Sequence, residues 1–511
     1  MVRSSFKFSE NPMSDLEKIH TGIPELDMVL RGGLPQQRIH LVEGRPGSGK
    51  TTIGLRFLID GAEKGETCLY VSLSETVEEL RATAASHGWS LENIALREVV
   101  PAEVQLGRQQ SVLFPSEVEL GETIAAITGA VQDIAPTRVV IDSMSELRMV
   151  ADDPMRYRRQ IVALKRFLLR QNCTTLLMDD LTDEPRQYDL QGTVHGVITL
   201  EQREREFGAA RRRLRVVKMR GAEFQSGWHD FAITAREVYV FPSLIADEHK
   251  SERSRDAITS EIPALDGMLC GGLARGTSAL ILGPTGVGKS SLALQYANVA
   301  AERQEHVAYF AFDESRATLV ERANGLSMRA ADAIDKGTIY WERINPSRIS
   351  PGEFIWKVRR QVEGQGAAVV VIDSLNSYLE TMHEEKALML QMHELLSYLS
   401  NQGVLSILIV GQSGLLNDVG DPLDIAFISD TVILMRYFEA EGQVRKAISV
   451  VKKRPGRHET SIREFSLTAA GVAVGPALEE LQGVLSGAPR AAAEASGPPE
   501  AVAPPPPVGH D

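Results

Sequence analysis

Residues 21–52 read TGIPELDMVLRGGLPQQRIHLVEGRPGSGKTT, and residues 260–291 read SEIPALDGMLCGGLARGTSALILGPTGVGKSS. Pro24 aligns with Pro263, Asp27 with Asp266, Gly32-Gly33 with Gly271-Gly272 and Lys50 with Lys289. Each pair is 239 positions apart, with no gap. A repeat of this period duplicates a whole domain and is not a solenoid of small units. In each copy a short apolar strand (IHLVEG, 39–44; SALILG, 278–283) runs into a glycine loop. A stretch of helical spacing follows (TTIGLRFLIDGAEKG, 51–65; SSLALQYANVAAERQ, 290–304).

Further strands continue outward from this unit. The first copy adds TCLYVSL, RVVIDS and CTTLLMDD, and the second adds HVAYFAF, AVVVIDS and LSILIVGQ, with helical stretches between. Continuous Val/Ile/Leu runs mark strands covered on both faces, so the fold class is α/β with mostly parallel central sheets. The polar, charged segment SLIADEHKSERSRD (243–256) marks the junction. The expected organisation is an N-terminal extension (1–14), a first domain (15–245), a second domain (246–484) and a disordered tail (485–511). The tail is rich in Pro, Ala and Gly, with polyproline character near its end. At 511 residues, 43% of them hydrophobic, the chain is long enough to bury two sizeable cores.

Both loops match G-x4-G-K-[ST], the pattern that cradles a nucleotide's phosphates. In the first copy it spans Gly44, Gly47, Ser48, Gly49, Lys50, Thr51 and Thr52. In the second it spans Gly283, Thr285, Gly286, Val287, Gly288, Lys289, Ser290 and Ser291. Glycines let main-chain N–H groups converge on phosphate at a helix N-terminus. The lysine reaches the β- and γ-phosphates, and the Thr51 or Ser290 hydroxyl ligates Mg²⁺. A second carboxylate is needed to organise that ion, and Asp142 (VVIDS) and Asp373 (VVVIDS) each end an apolar strand. Hydrolysis also needs a group that orients water, for which Glu75 in YVSLSE and Glu314 in YFAFDE are the candidates, again 239 apart. Asp313 precedes Glu314, but Ser74 precedes Glu75.

This combination resembles the KaiC branch of the RecA-like ATPases, from about residue 15 to 475. The resemblance rests on T-G-I-P-x-L-D, both P-loops, YVSLSE and AFDESRA, the two I-D-S strands, and Lys218-Met-Arg220-Gly followed by WHD. It also covers residues 429–459, SDTVILMRYFEAEGQVRKAISVVKKRPGRHE. The resemblance implies two tandem RecA-like P-loop NTPase domains, ATP and Mg²⁺ as cofactors, and slow hydrolysis in a ring that acts as a timer or switch on a signalling partner. It also implies a homohexamer with ATP between subunits, where basic fingers from a neighbour touch the γ-phosphate. The matching positions are Lys218 and Arg220, and Lys452 and Arg454. The second motif departs from the pattern, with Lys453 for Met and Pro455 for Gly, and Pro455 fixes its own φ and removes a main-chain donor there. The family's second domain autophosphorylates adjacent Ser and Thr residues just before S/T-D-T. Here Ala426 and Phe427 stand in those places and neither accepts phosphate. A Ser/Thr kinase acting on other hydroxyls stays open because Asp313-Glu314 is retained. A DNA-binding recombinase-like motor is the rival from another class.

The remaining features read blandly. Net charge is −13, which argues against affinity for nucleic acid or anionic lipid through overall charge. Cys68, Cys173 and Cys270 form no CxxC pair and read as small buried residues of a protein in a reducing cytoplasm. No apolar run approaches the roughly 20 residues of a membrane span. The eleven histidines form no HxxxH pair. The arginine-rich run 201–215 reads as a solvated or subunit-facing hairpin, and the four tryptophans as packing anchors.

Overall fold

The duplicated opening folds the same way twice in the computed structural model. Thr21 donates from its N–H and Oγ1 to Asp27 Oδ1 at 2.9 and 2.8 Å. Ser260 makes the matching pair to Asp266 Oδ1 at 2.8 and 2.9 Å. Pro24 and Pro263 each start a short helix, where proline's missing N–H costs nothing. The structure describes residues 16–99, 116–151, 153–181, 190–205, 208–251, 256–381, 388–412, 423–484 and 490–491. The N-terminal extension lies outside these residues. So does the expected disordered tail, apart from Arg490–Ala491, which pair antiparallel with Leu481–Gln482. The chain divides into two units, Met1–Ser243 and Leu244–Asp511.

The first unit contains β1 (Ile39–Gly44), β2 (Cys68–Ser72), β3 (Ile94–Glu98), β4 (Arg138–Asp142), β5 (Thr174–Asp180), β6 (Gly196–Arg203), β7 (Arg211–Met219), β8 (His229–Ile233) and β9 (Val238–Phe241). They form one sheet in the order β3-β2-β4-β5-β1-β6-β7-β8-β9. Strands β3 to β6 of that order run parallel, and the last three join antiparallel. The second unit contains β10 (Ser278–Gly283), β11 (Val307–Ala311), β12 (Ile339–Arg343), β13 (Val369–Asp373), β14 (Leu405–Gly411), β15 (Thr431–Ala440), β16 (Gln443–Lys453), β17 (Arg463–Thr468) and β18 (Gly471–Ala477). Its order, β12-β11-β13-β14-β10-β15-β16-β17-β18, repeats the first. The expected α/β class with mostly parallel central sheets therefore holds in both units.

Covered strands explain the unbroken apolar runs. Val42, Tyr70, Val140 and Met178 pack on one face against Ile53 and Phe57 of α1 (Lys50–Glu63). Leu41, Leu69, Val139 and Leu177 point the other way, towards Ile127, Ile161 and Leu164 of the helices Ser116–Ile134 and Pro154–Arg170. The helix α2 (Lys289–Glu302) takes the place of α1 in the second unit, with Leu292, Leu294 and Tyr296 in the core. Burying each such side chain contributes about 1.5–3 kcal/mol. Residues 201–203 and 211–213 pair antiparallel, as expected of a hairpin, and Arg213 and Arg215 lie 4.1 and 4.7 Å over the Trp228 ring. Cys68 and Cys173 are buried, but Cys270 is exposed. It sits in the turn after the helix Pro263–Met268, at φ 48°, and not in a strand.

Arg138 opens β4, the strand that ends in Asp142, and is fully buried. Its guanidinium reaches Asp60 at 3.0 Å and Glu66 at 2.8 Å, and donates to the carbonyls of Phe57 and His20 at 2.8 and 2.9 Å. Phe57 and Asp60 belong to α1, so this one side chain ties the P-loop helix to the strand of Asp142. The second unit has Val369 at the matching strand position. Removing one partner from a buried ionic network leaves uncompensated charge. Arg138→Ala should therefore lower stability by about 3 kcal/mol, read from the first transition in chemical denaturation. An unshifted curve would show that the network contributes nothing.

Candidate nucleotide-binding sites

Each P-loop leaves the end of a central strand and turns into a helix that has no side-chain cap. Gly49 and Gly288 take the N-cap positions at φ 101° and 116°, a left-handed conformation that glycine reaches without strain. Neither glycine has a side chain to accept a capping hydrogen bond from the first turn. The first-turn N–H groups are thus left for an external acceptor. Gly44 and Gly283 also exclude side chains. A Cβ on Gly44 would lie 2.6 Å from Ser48 Oγ, and one on Gly283 would lie 2.4 Å from Met435 O. The buried Ser48 Oγ has no hydrogen-bond partner. Thr52 and Ser291 lie buried on the first helical turns, and Val287 is fully buried under the second loop. These features fit a bound phosphate chain. Thr285, Gly286, Gly288, Lys289, Ser290, Asp313, Glu314 and Asp373 line one cavity of about 840 Å³.

The carboxylates converge on the loops from neighbouring strands. Thr51 Oγ1 donates to Asp142 Oδ2 at 2.8 Å, and Tyr70 OH donates to the same oxygen at 2.5 Å. In the second unit Tyr309 OH donates to Asp373 Oδ2 at 2.7 Å. Burial raises the Asp142 carboxyl above its usual range, while the Tyr70 and Thr51 hydroxyls and Lys50 pull it back. Glu75 and Glu314 each follow the strand next to that aspartate. Burial raises both, and each has a buried Oε2 without a hydrogen-bond partner. A desolvated carboxylate with a spare lone pair is a stronger base than a solvated one. Asp313 Oδ2 accepts from Ser377 Oγ at 2.7 Å and Ser374 Oγ at 3.1 Å.

The four residues expected as basic fingers lie elsewhere. Lys218 pairs with Val197, which is level with Leu41, and Arg220 follows Met219, level with His40. These positions face the opposite end of β1 from Gly44. There Lys218 donates to the Gln191 carbonyl and Arg220 to that of Gly192. Lys452 is level with Leu280, again far from Gly283. It donates to the carbonyls of Ala426 and Ser429 at 2.7 Å, and Arg454 to that of Phe427 at 2.6 Å. None of the four reaches the P-loop of its own unit.

Several neighbours of the loops escaped the sequence reading. Tyr70 and Tyr309 are 239 apart, so the repeat itself carried that signal. Lys50 Nζ lies 2.6 Å from Asp180 Oδ1. Arg322 binds Glu314 at 2.7 Å, while the first copy has Thr83 at the matching place. The cross-strand pair Tyr437–Lys446 overhangs the second loop, donating to the carbonyls of Thr285 and Gly286 at 3.3 and 3.2 Å. No repeated residue type announces these last three features.

Comparison with known proteins agrees with this geometry. The chain is 28% identical over 488 residues to "Circadian clock protein KaiC3" of Synechocystis sp., covering 93% of this chain and 95% of that protein. It is 27% identical to "Circadian clock protein KaiC2" of the same organism, over 89% of this chain and 81% of that protein. It is 26% identical to "Circadian clock oscillator protein KaiC" of Synechococcus elongatus, over 93% and 92%. The family described as "ATPase: KaiC" matches twice, at residues 19–245 and 258–479. With one domain match in each half, covering most of its length, the chain belongs to the KaiC family of ATPases.

Proposed function

We propose that the chain binds ATP in both domains, hydrolyses it, and works as a switch or timer that signals to a protein partner. The observation that carries this is one arrangement found twice: an uncapped helix behind a glycine loop, with an aspartate and a glutamate from neighbouring strands facing it. The timing role is supported by relatives named as clock proteins.

In this reading Lys50 and Lys289 hold the β- and γ-phosphates together with the loop amides. Thr51 with Asp142, and Ser290 with Asp373, hold Mg²⁺, which when bound supplies charge neutralisation across those phosphates. Glu75 and Glu314 orient the attacking water and take its proton. Glu314 must share its carboxylate with Arg322, whereas among the described residues no cation pairs with Glu75. That difference favours faster turnover in the first domain. Lys218, Arg220, Lys452 and Arg454 stand too far along their strands to serve their own site, which supports their acting on a neighbouring copy in a homohexamer.

A second reading, a Ser/Thr kinase in the second domain, is favoured by one observation. Asp313 already accepts two serine hydroxyls, from Ser374 and Ser377, beside the second loop. The first copy has Ser74 in place of Asp313.

Three outcomes test these readings. The Lys50→Ala, Lys289→Ala double variant should lose ATP binding in a direct titration; undiminished binding would refute the site. Glu75→Gln and Glu314→Gln should keep binding yet slow phosphate release by about 100-fold or more. γ-Labelled ATP should label the wild-type chain and not Asp313→Asn if the kinase reading holds, and an unlabelled wild-type chain removes it.

A further inference from the structure

The two P-loop lysines meet different charges. In the first unit β1 and β5 run parallel with Gly44 beside Asp180, and the Leu181 N–H donates to the Gly44 carbonyl at 3.1 Å. This register aims the Asp180 side chain at the loop. Its Oδ1 lies 2.6 Å from Lys50 Nζ, and its Oδ2 accepts from Ser145 Oγ at 3.1 Å. Lys50 is 7% exposed and Asp180 27%, so the pair is well shielded from solvent. A carboxylate oxygen thereby takes the place on the ammonium that a phosphate oxygen would occupy.

The second unit has the same register, with Gly283 beside Gly411, and Gly411 has no side chain to offer. Lys289 Nζ donates to the Pro284 carbonyl at 2.8 Å, and among the described residues no carboxylate forms an ion pair with it. Arg322 and Arg343 line that cavity as well. Asp142 and Asp373 stand near the two lysines alike; the first site adds Asp180 on its ammonium, while the second adds Arg322 and Arg343 to its lining and leaves its lysine to the ligand.

We propose that Asp180 makes the first site selective for nucleotide complexed with a divalent cation, a selectivity that the second site lacks. This rests on the reading that both loops bind ATP. Phosphate entering the first site must displace Asp180 from Lys50. The released carboxylate and Asp142 then face the phosphate chain, and the single ammonium no longer balances them. A divalent cation bound with the nucleotide screens that repulsion. In the second site Asp373 takes the place of Asp142, but Gly411 stands where Asp180 would be and Arg322 and Arg343 offset the carboxylates of Asp313 and Glu314, so Lys289 gives its charge to phosphate directly and nucleotide without metal is accepted there. Asp180 is in this sense a specificity-determining residue.

Equilibrium titration of the full chain with a fluorescent ATP analogue, in Mg²⁺ or in EDTA, tests this. Lys289→Ala isolates the first site and Lys50→Ala the second. EDTA should weaken binding about tenfold or more at the first site and less than about threefold at the second. Asp180→Asn added to Lys289→Ala should restore binding in EDTA and leave binding in Mg²⁺ little changed. The reciprocal Gly411→Asp, added to Lys50→Ala, should impose metal dependence on the second site. It has room, because a Cβ there would meet nothing closer than Asn376 Oδ1 at 3.7 Å. Equal metal dependence at both sites overturns the proposal and leaves ATP binding standing. A loss of Mg²⁺-dependent binding alone in Asp180→Asn overturns it too, and makes Asp180 a metal ligand. Absence of binding by the wild-type chain in Mg²⁺ refutes the ATP reading itself.

Discussion

An uncapped helix start pressed against the end of a central strand is the constraint on which each domain is built. Main-chain N–H groups without partners are costly when shielded from water. Here the first turns of α1 and α2 have no side chain to satisfy them. Glycine at 49 and 288 makes the turn possible, and glycine at 44 and 283 lets the loop lie against the neighbouring strand. The sheet order follows from the same point. The strand that feeds the loop lies between β5 and β6, or β14 and β15, so strands on either side bring side chains to one spot. Crevices at the carboxyl ends of parallel strands are where α/β sheets bind ligands.

The two copies keep this geometry while exchanging the charges around it. Arg138 clamps the first P-loop helix through Asp60 and Glu66, where the second unit relies on Val369 in an apolar layer. Arg322 neutralises Glu314, where the first unit leaves a carboxylate raised by burial and by repulsion from Asp142 and Glu79. Asp180 neutralises Lys50, where the second unit has glycine. In each exchange the backbone register is retained and one partner is swapped. Duplicated domains can therefore share a fold and differ in ligand requirements, because an ion pair a few ångströms from a phosphate changes its affinity more than a distant core substitution does.

The fold was legible because its signals are local. Continuous Val/Ile/Leu runs, each ended by glycine or aspartate, announced covered parallel strands, and the 239-residue offset announced that the pattern occurs twice. The glycine loops and Asp142 were placed as candidates for the same reason, since Gly44, Gly283 and Asp142 each end a strand, and Glu75 lies three residues beyond the end of its own. Asp180 ends the strand TTLLMDD, but nothing in that string says which of its two acids faces Lys50. The parallel register of β1 with β5 decides it, and Asp179 turns instead to Arg148. Cys270 misled because apolar neighbours suggested a core position, whereas the double glycine after it forces a turn. Long-range register and turn geometry are what a run of residue types does not encode.

The proposed basic fingers place a further demand on the chain. Lys452 and Arg454 already hold the carbonyls of Ala426, Phe427 and Ser429, and Arg454 also lies 3.6 Å from Asp430. A cation engaged with main-chain oxygens can serve a neighbour's phosphate only by exchanging one set of acceptors for another. The exchange is cheap where the side chain is exposed and water fills the vacated bonds, and Arg454 is 54% exposed. The segment 426–429 would then feel nucleotide in the adjacent copy through the loss of its own cations. In the proposed ring, a stretch that carries no phosphate acceptor at Ala426 or Phe427 would still report the state of the neighbouring site, by hydrogen bonds and not by covalent marking.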